Sequence, residues 1–235
     1  MATAFTTAGR NAQQFAADSR GDRKSAVLSA GAGQLFGAVE TDNSKLSSLG
    51  IPAVSPADSP AAYAELFRAA RQLRALEKRA IALIPADDRV AVPPIAIQLA
   101  LALSQASEGS VNVLDANTRH PALSQLASKL EQRTQPRGFI TTWIAERVTV
   151  TTPPAARPGL NLAELEETLA RDRDRYGFML IDFTGFQRLG EHIRAFQIVD
   201  GVLLLARTGR TRERDLLRCH ADVPADKDLG VLLLG

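Results

Sequence analysis

The chain has 235 residues, 45% hydrophobic and 23% charged, which is enough for one sizeable core. A net charge of +2 is too small to argue for a nucleic-acid surface, and a single cysteine, Cys219, excludes an internal disulfide. Three scattered histidines (His120, His192, His220) with that cysteine make no zinc constellation, and no apolar run approaches the roughly 18 residues of a spanning helix. Met1 to Thr7 lacks the basic and apolar regions of a secretory signal, so the expectation is a cytoplasmic protein.

Residues 1–58 are rich in Ala, Ser, Gly, Asp and Asn and show no sustained period, so they read as a flexible N-terminal tail. Gly31-Ala32-Gly33 with Gly37 has no apolar strand before it and no Lys-Ser/Thr after it, which argues against a phosphate loop there. The folded unit is expected over 59–235. Ser59-Pro60 opens a helix, and Leu66, Ala69, Ala70, Leu73, Leu76, Ala80, Ile81 and Ile84 continue at helical spacing up to Pro85. A short strand is expected at Val90 to Val92, then a helix from Ile95 to Ala106. A strand at Val111 to Leu114 ends at Asp115, and Pro121 opens a helix to about Glu131. Further strands read at Val148 to Thr151, Gly177 to Ile181 (ending at Asp182), Val202 to Leu205 and Val231 to Leu234. Helices read at Leu162 to Arg175 behind an Asn161 cap, Leu189 to Ile198 and Arg212 to His220. Apolar strands alternating with helices predict a three-layer, doubly wound α/β fold with a mainly parallel sheet. Ligands in that architecture lie at the carboxyl ends of the strands, where Asp115 and Asp182 fall.

Several segments occur in an order that resembles the cytoplasmic bacterial tyrosine kinases of polysaccharide export, relatives of the MinD/ParA-type P-loop ATPases. Val113-Leu114-Asp115-Ala116-Asn117-Thr118-Arg119-His120-Pro121 is similar to that family's second acidic motif, and Met179-Leu180-Ile181-Asp182 to its Walker B strand. Asp200 to Arg207 resembles its next strand, and Ile97 to Gln105 the helix behind its phosphate loop. The resemblance spans roughly residues 60 to 235.

The departures fall on the chemistry. Arg89-Val90-Ala91-Val92-Pro93-Pro94-Ile95 occupies the phosphate-loop segment without a glycine, a lysine or a hydroxyl. Such a loop works through inward N–H groups, a lysine charge and a hydroxyl on Mg²⁺, and each proline removes an N–H. Asn117 replaces the second acidic residue, Phe183-Thr184-Gly185 replaces Thr-Pro-Pro, and the only tyrosines of this sequence are Tyr63 and Tyr176, so the family's tyrosine-rich tail is not expected. Asp115, Asn117 and Asp182 therefore read as residual family positions. Both aspartates are taken as structural, because a magnesium ion in such sites relies on phosphate oxygens.

Glu65, Arg68 and Arg71 form Glu-x-x-Arg-x-x-Arg on the first helix, a pattern that in the resembled family contacts the neighbouring subunit of a ring. Spacing of three lines these side chains along one flank, where arginine can pair with a neighbour's carboxylate. The set Arg207, Arg210, Arg212, Arg214 and Arg218 is interrupted by Glu213 and Asp215, and reads as a solvated helix. The expected function is a non-catalytic, pseudokinase-like scaffold for a membrane polysaccharide co-polymerase (chain-length determinant), without cofactor. It is expected to act as a homo- or hetero-oligomer near the inner face of the plasma membrane. The alternative is a divergent MinD/ParA-like ATPase or tyrosine autokinase using ATP and Mg²⁺ through an unrecognised cradle.

Overall fold

The computed structural model describes residues 59–117, 139–153, 161–186 and 192–234, with residues 5–6, 46–47, 50–51, 54, 123, 132–134 and 190. Most of the predicted tail, the helix expected at Pro121 to Glu131, and Arg119 lie outside the described residues. In chain order the elements are β1 (Phe5–Thr6), α1 (Pro60–Ala75), β2 (Ala80–Pro85), α2 (Val92–Ala106), β3 (Val111–Asp115), β4 (Gln132–Thr134), β5 (Ile140–Ala145) and β6 (Val148–Thr152). They continue with α3 (Leu162–Asp172), β7 (Phe178–Asp182), α4 (His192–Ile198), β8 (Gly201–Arg207), α5 (Glu213–Ala221) and β9 (Asp228–Leu234).

The strands form one sheet in the order β1-β9-β8-β2-β7-β3-β6-β5-β4. The six from β9 to β6 are parallel, and antiparallel strands close both edges. Alternation along each strand feeds two cores. Ile81, Leu83, Val111, Val113, Leu180 and Leu203 pack under α1 and α2, together with Leu46 and Ile51 from N-terminal of Ser59. Ala82, Ile84, Leu114, Met179, Ile181 and Leu204 pack under α3, α4 and α5. A sheet covered on both faces with crossover helices is the expected doubly wound α/β fold.

The chain departs from the expected elements at its first strand. α1 stops at Ala75, Glu77 takes a left-handed φ of 54°, and Ala80–Pro85 is a strand buried along its whole length. The segment expected as a strand at Val90 to Val92 is instead loop and helix start, with Val92, Pro93 and Pro94 in the first turn of α2. Proline is tolerated there because those N–H groups have no helical partner. The hairpin of β4 and β5 was not foreseen.

Polar contacts fix the ends of this frame. Asn161 caps α3 in a reciprocal box with Glu164. Asp200 accepts the N–H groups of Arg79 and Ala80 at the start of β2 and pairs with Arg173. Lys227 Nζ donates to the carbonyls of Phe196, Gln197 and Val199 at 2.7, 2.9 and 3.0 Å, and so closes the end of α4. Among the described residues, no helix is long and apolar enough to cross a membrane.

Candidate functional site

The parallel sheet directs its carboxyl ends into a crevice of about 590 Å³. Its near wall is the β2–α2 loop, the position of a phosphate cradle in a P-loop fold. That loop reads Ala86-Asp87-Asp88-Arg89-Val90-Ala91. Asp87 spends its Oδ1 on the N–H of Arg89 at 2.8 Å, and Ala86 N–H bonds to Leu205 O at 2.9 Å, which ties the loop towards β8. α2 begins without a side-chain cap, and two of its first three residues are prolines. Asp87 and Asp88 line the crevice with Asp215 and Asp222 of the α5 region, against one guanidinium, Arg218. His192, at the start of α4, lies with Nε2 3.3 Å from Asp222. Sequence reasoning missed these four aspartates, because placing the strand at Val90 to Val92 put Asp87-Asp88 before the sheet rather than beyond its end.

Asp115 and Asp182 stand side by side, in register on β3 and β7, and neither lines the crevice. Both are fully buried. Asp115 Oδ1 accepts the N–H of Asn117 at 3.2 Å, and Oδ2 that of Leu123 at 2.8 Å. Asp182 Oδ1 accepts both the N–H and the hydroxyl of Thr184, at 2.8 and 2.5 Å. Asp182 Oδ2 is buried with no hydrogen-bond partner. The turn that brings Thr184 back ends at Gly185, whose φ of 92° favours glycine. Burial, and then repulsion from Asp182, pushes the Asp115 carboxyl up to about 7 against the pull of the Leu123 and Asn117 amides. Burial pushes Asp182 up to about 6 against its bonds from Thr184. Although Asp115 is raised further, its oxygens are both committed as acceptors, so the proton is best held on the orphan Oδ2 of Asp182. The two titrate as a pair.

A magnesium nucleotide does not fit these residues. The loop offers no lysine and no hydroxyl, two prolines lack N–H groups, and Asp87 and Asp88 add negative charge where phosphates would lie. Among the described residues no cluster of three His, Cys, Asp or Glu is arranged to hold a metal.

The remaining expected positions lie elsewhere. Glu65 and Arg68 pair along α1, Arg71 is exposed one step further on, and none reaches the crevice. Arg210, Arg212 and Arg214 are exposed, whereas Arg218 lines the crevice. Cys219 is buried with Sγ 3.7 Å from Ala86 O, and His220 Nε2 is 2.9 Å from Asp228.

No family model matches the chain, and no curated protein sequence matches it. Solved structures do. The chimerical protein CapA2B2 superposes with a TM-score of 0.58 and 18% identity over 82% of this chain and 98% of that one. The BceF tyrosine kinase domain gives 0.57 and 17% over 82% and 87%. The kinase domain of the Escherichia coli tyrosine kinase ETK gives 0.46 and 20% over 72% and 75%. The chain has the fold of bacterial tyrosine kinase domains, at identities that speak for the fold alone.

Proposed function

We propose that this chain is a non-catalytic, pseudokinase-like scaffold that pairs with a membrane polysaccharide co-polymerase at the cytoplasmic side of the membrane. The observation that carries the reading is the β2–α2 loop, where acidic residues and prolines stand in place of a phosphate cradle. Phosphoryl transfer depends on positioning and on cations that neutralise phosphate charge, and this loop supplies neither. What the fold retains is a frame for assembly, with the Glu65, Arg68 and Arg71 flank of α1 as its self-association surface and a membrane protein as its partner.

Two measurements test this. Millimolar Mg-ATP or Mg-ADP is expected to leave the thermal unfolding midpoint where it is. A ligand at about 100 times its Kd would add roughly 2.7 kcal/mol, and so raise the midpoint by about 5–10 °C for a chain of this size. A shift of that order, with ATP turnover lost in Asp182→Ala, would establish the divergent ATPase instead. Arg68→Ala combined with Arg71→Ala is expected to lower the sedimentation coefficient of the assembled protein and to weaken capture of the membrane partner. Unchanged sedimentation and capture would remove α1 from the assembly.

A further inference from the structure

We infer that the arginine-bearing loop between β8 and α5 is a docking element for a second copy of this chain, the loop of each copy entering the acidic crevice of the other. The inference goes beyond the scaffold reading and uses a surface that does not include α1.

Loop and crevice open at the same end of the sheet. The loop leaves β8 at Arg207, two residues past Leu205, which is paired in parallel register with Pro85 of β2, a wall of the crevice. The loop is a built turn. Arg207 N–H donates to Thr211 Oγ1 at 2.9 Å, and the N–H groups of Arg210 and Thr211 donate back to Arg207 O at 3.1 and 2.9 Å. Gly209 supplies the left-handed φ of 71° that the reversal needs. Arg210 and Arg212 stand exposed on this turn, and among the described residues neither their guanidinium groups nor that of Arg207 has a hydrogen-bond or ion-pair partner. A loop already held in shape loses little freedom on binding, and the guanidinium fork suits a carboxylate.

The crevice carries the opposite sign. Asp87 spends one oxygen on the Arg89 N–H, Asp222 meets His192, and Asp215 meets only Arg214, with Nε at 3.6 Å. Arg218 lines the same crevice and pairs with none of the three. An acidic ligand or an anionic membrane would satisfy the arginines and be repelled by these aspartates, and a basic ligand would meet the reverse. A second copy satisfies both at once, because a surface with both signs side by side complements itself across a two-fold axis. Apolar area is at hand as well. Ile193 and Leu217 are 56% and 55% exposed, and they adjoin the crevice residues His192 and Arg218 in the chain.

Sedimentation velocity over a concentration series tests the contact, on the full chain with Arg68→Ala and Arg71→Ala so that α1 takes no part. A dimer is expected. Two charge reversals are then added separately, Asp87→Arg with Asp222→Arg, and Arg210→Glu with Arg212→Glu. Each alone is expected to weaken the dimer about tenfold or more. Mixed in equal amounts, the two are expected to form a one-to-one complex, since reversed loop then meets reversed crevice and native loop meets native crevice. A monomer at every concentration, an undiminished dimer in the reversed chains, or a mixture without a complex overturns the inference. Should a reversed chain fail to fold, the unreversed one decides: its dimer is expected to weaken between about 50 and about 500 mM NaCl, and association indifferent to salt overturns the charge pairing. With α1 already out of play, the result bears on this surface alone and leaves the scaffold reading to its own tests.

Discussion

Replacing Gly177 with valine is expected to lower the unfolding midpoint by about 6 °C or more. The strands β3 and β7 enter the sheet together, and their preceding residues cross in close contact. A Cβ on Gly177 would lie 3.0 Å from Gly109 Cα and 3.4 Å from Ser110 O, and one on Gly109 would lie 2.9 Å from Gly177 Cα. These are backbone atoms with no rotamer to move into. The same crossing carries the bond from Gly177 N–H to Ser110 O at 2.8 Å, which sets the β3–β7 register that puts Asp115 beside Asp182. Overpacking of this kind costs about 1–3 kcal/mol or more, and each kcal/mol moves the midpoint about 2–4 °C in a chain of this size. Gly209→Ala is the control, since Gly209 has φ 71° but nothing within 4 Å. That change should cost only about 1 kcal/mol of backbone strain. Equal midpoints for the two variants would mean that the crossing is not tight.

How far the sequence showed this depends on which signal each element carried. β3, β6, β7 and β8 were legible because apolar or β-branched runs end abruptly at Asp115, at Pro153 and Pro154, at Asp182 and at Arg207. β2 was not. Its residues Ala80, Ile81 and Ile84 continue the spacing of α1, and a strand buried on both faces looks like a helix to any periodicity argument. The clue was the polar break Glu77-Lys78-Arg79, where the helix ends in a left-handed residue that is not glycine. The β4–β5 hairpin fell where Thr and Gly give weak signals. In the site, strand-end aspartates could be read as such, but their pairing could not. It depends on β7 inserting between β2 and β3, a neighbour relation that the long stretch of sequence between β3 and β7 conceals. The acidity of the crevice was hidden for the same reason, being assembled from Asp87, Asp88, Asp215 and Asp222 on segments far apart in the chain.

The second large effect is on pH. Both shifted aspartates have folded pKa values above the unfolded value of 3.8, at about 7 and about 6. The folded state therefore holds more protons than the unfolded chain between those limits. Stability from this source is fully present below about pH 4 and is lost as pH rises through 6 and 7, the reverse of an aspartate held by a cation. Each proton contributes a slope of about 1.4 kcal/mol per pH unit, so on the order of 4 kcal/mol should disappear between pH 5 and pH 8. Asp182→Asn is expected to remove most of that slope. Its Oδ1 can still accept from Thr184, while the new amide can donate to Asp115, which relieves both the repulsion and the orphaned oxygen. The variant should therefore be more stable than the native chain at pH 8, by about 1–3 kcal/mol, with the difference narrowing at pH 5. Denaturant titrations at the two pH values measure this directly. A variant less stable at both would show that the second charge is compensated by a group facing the pair.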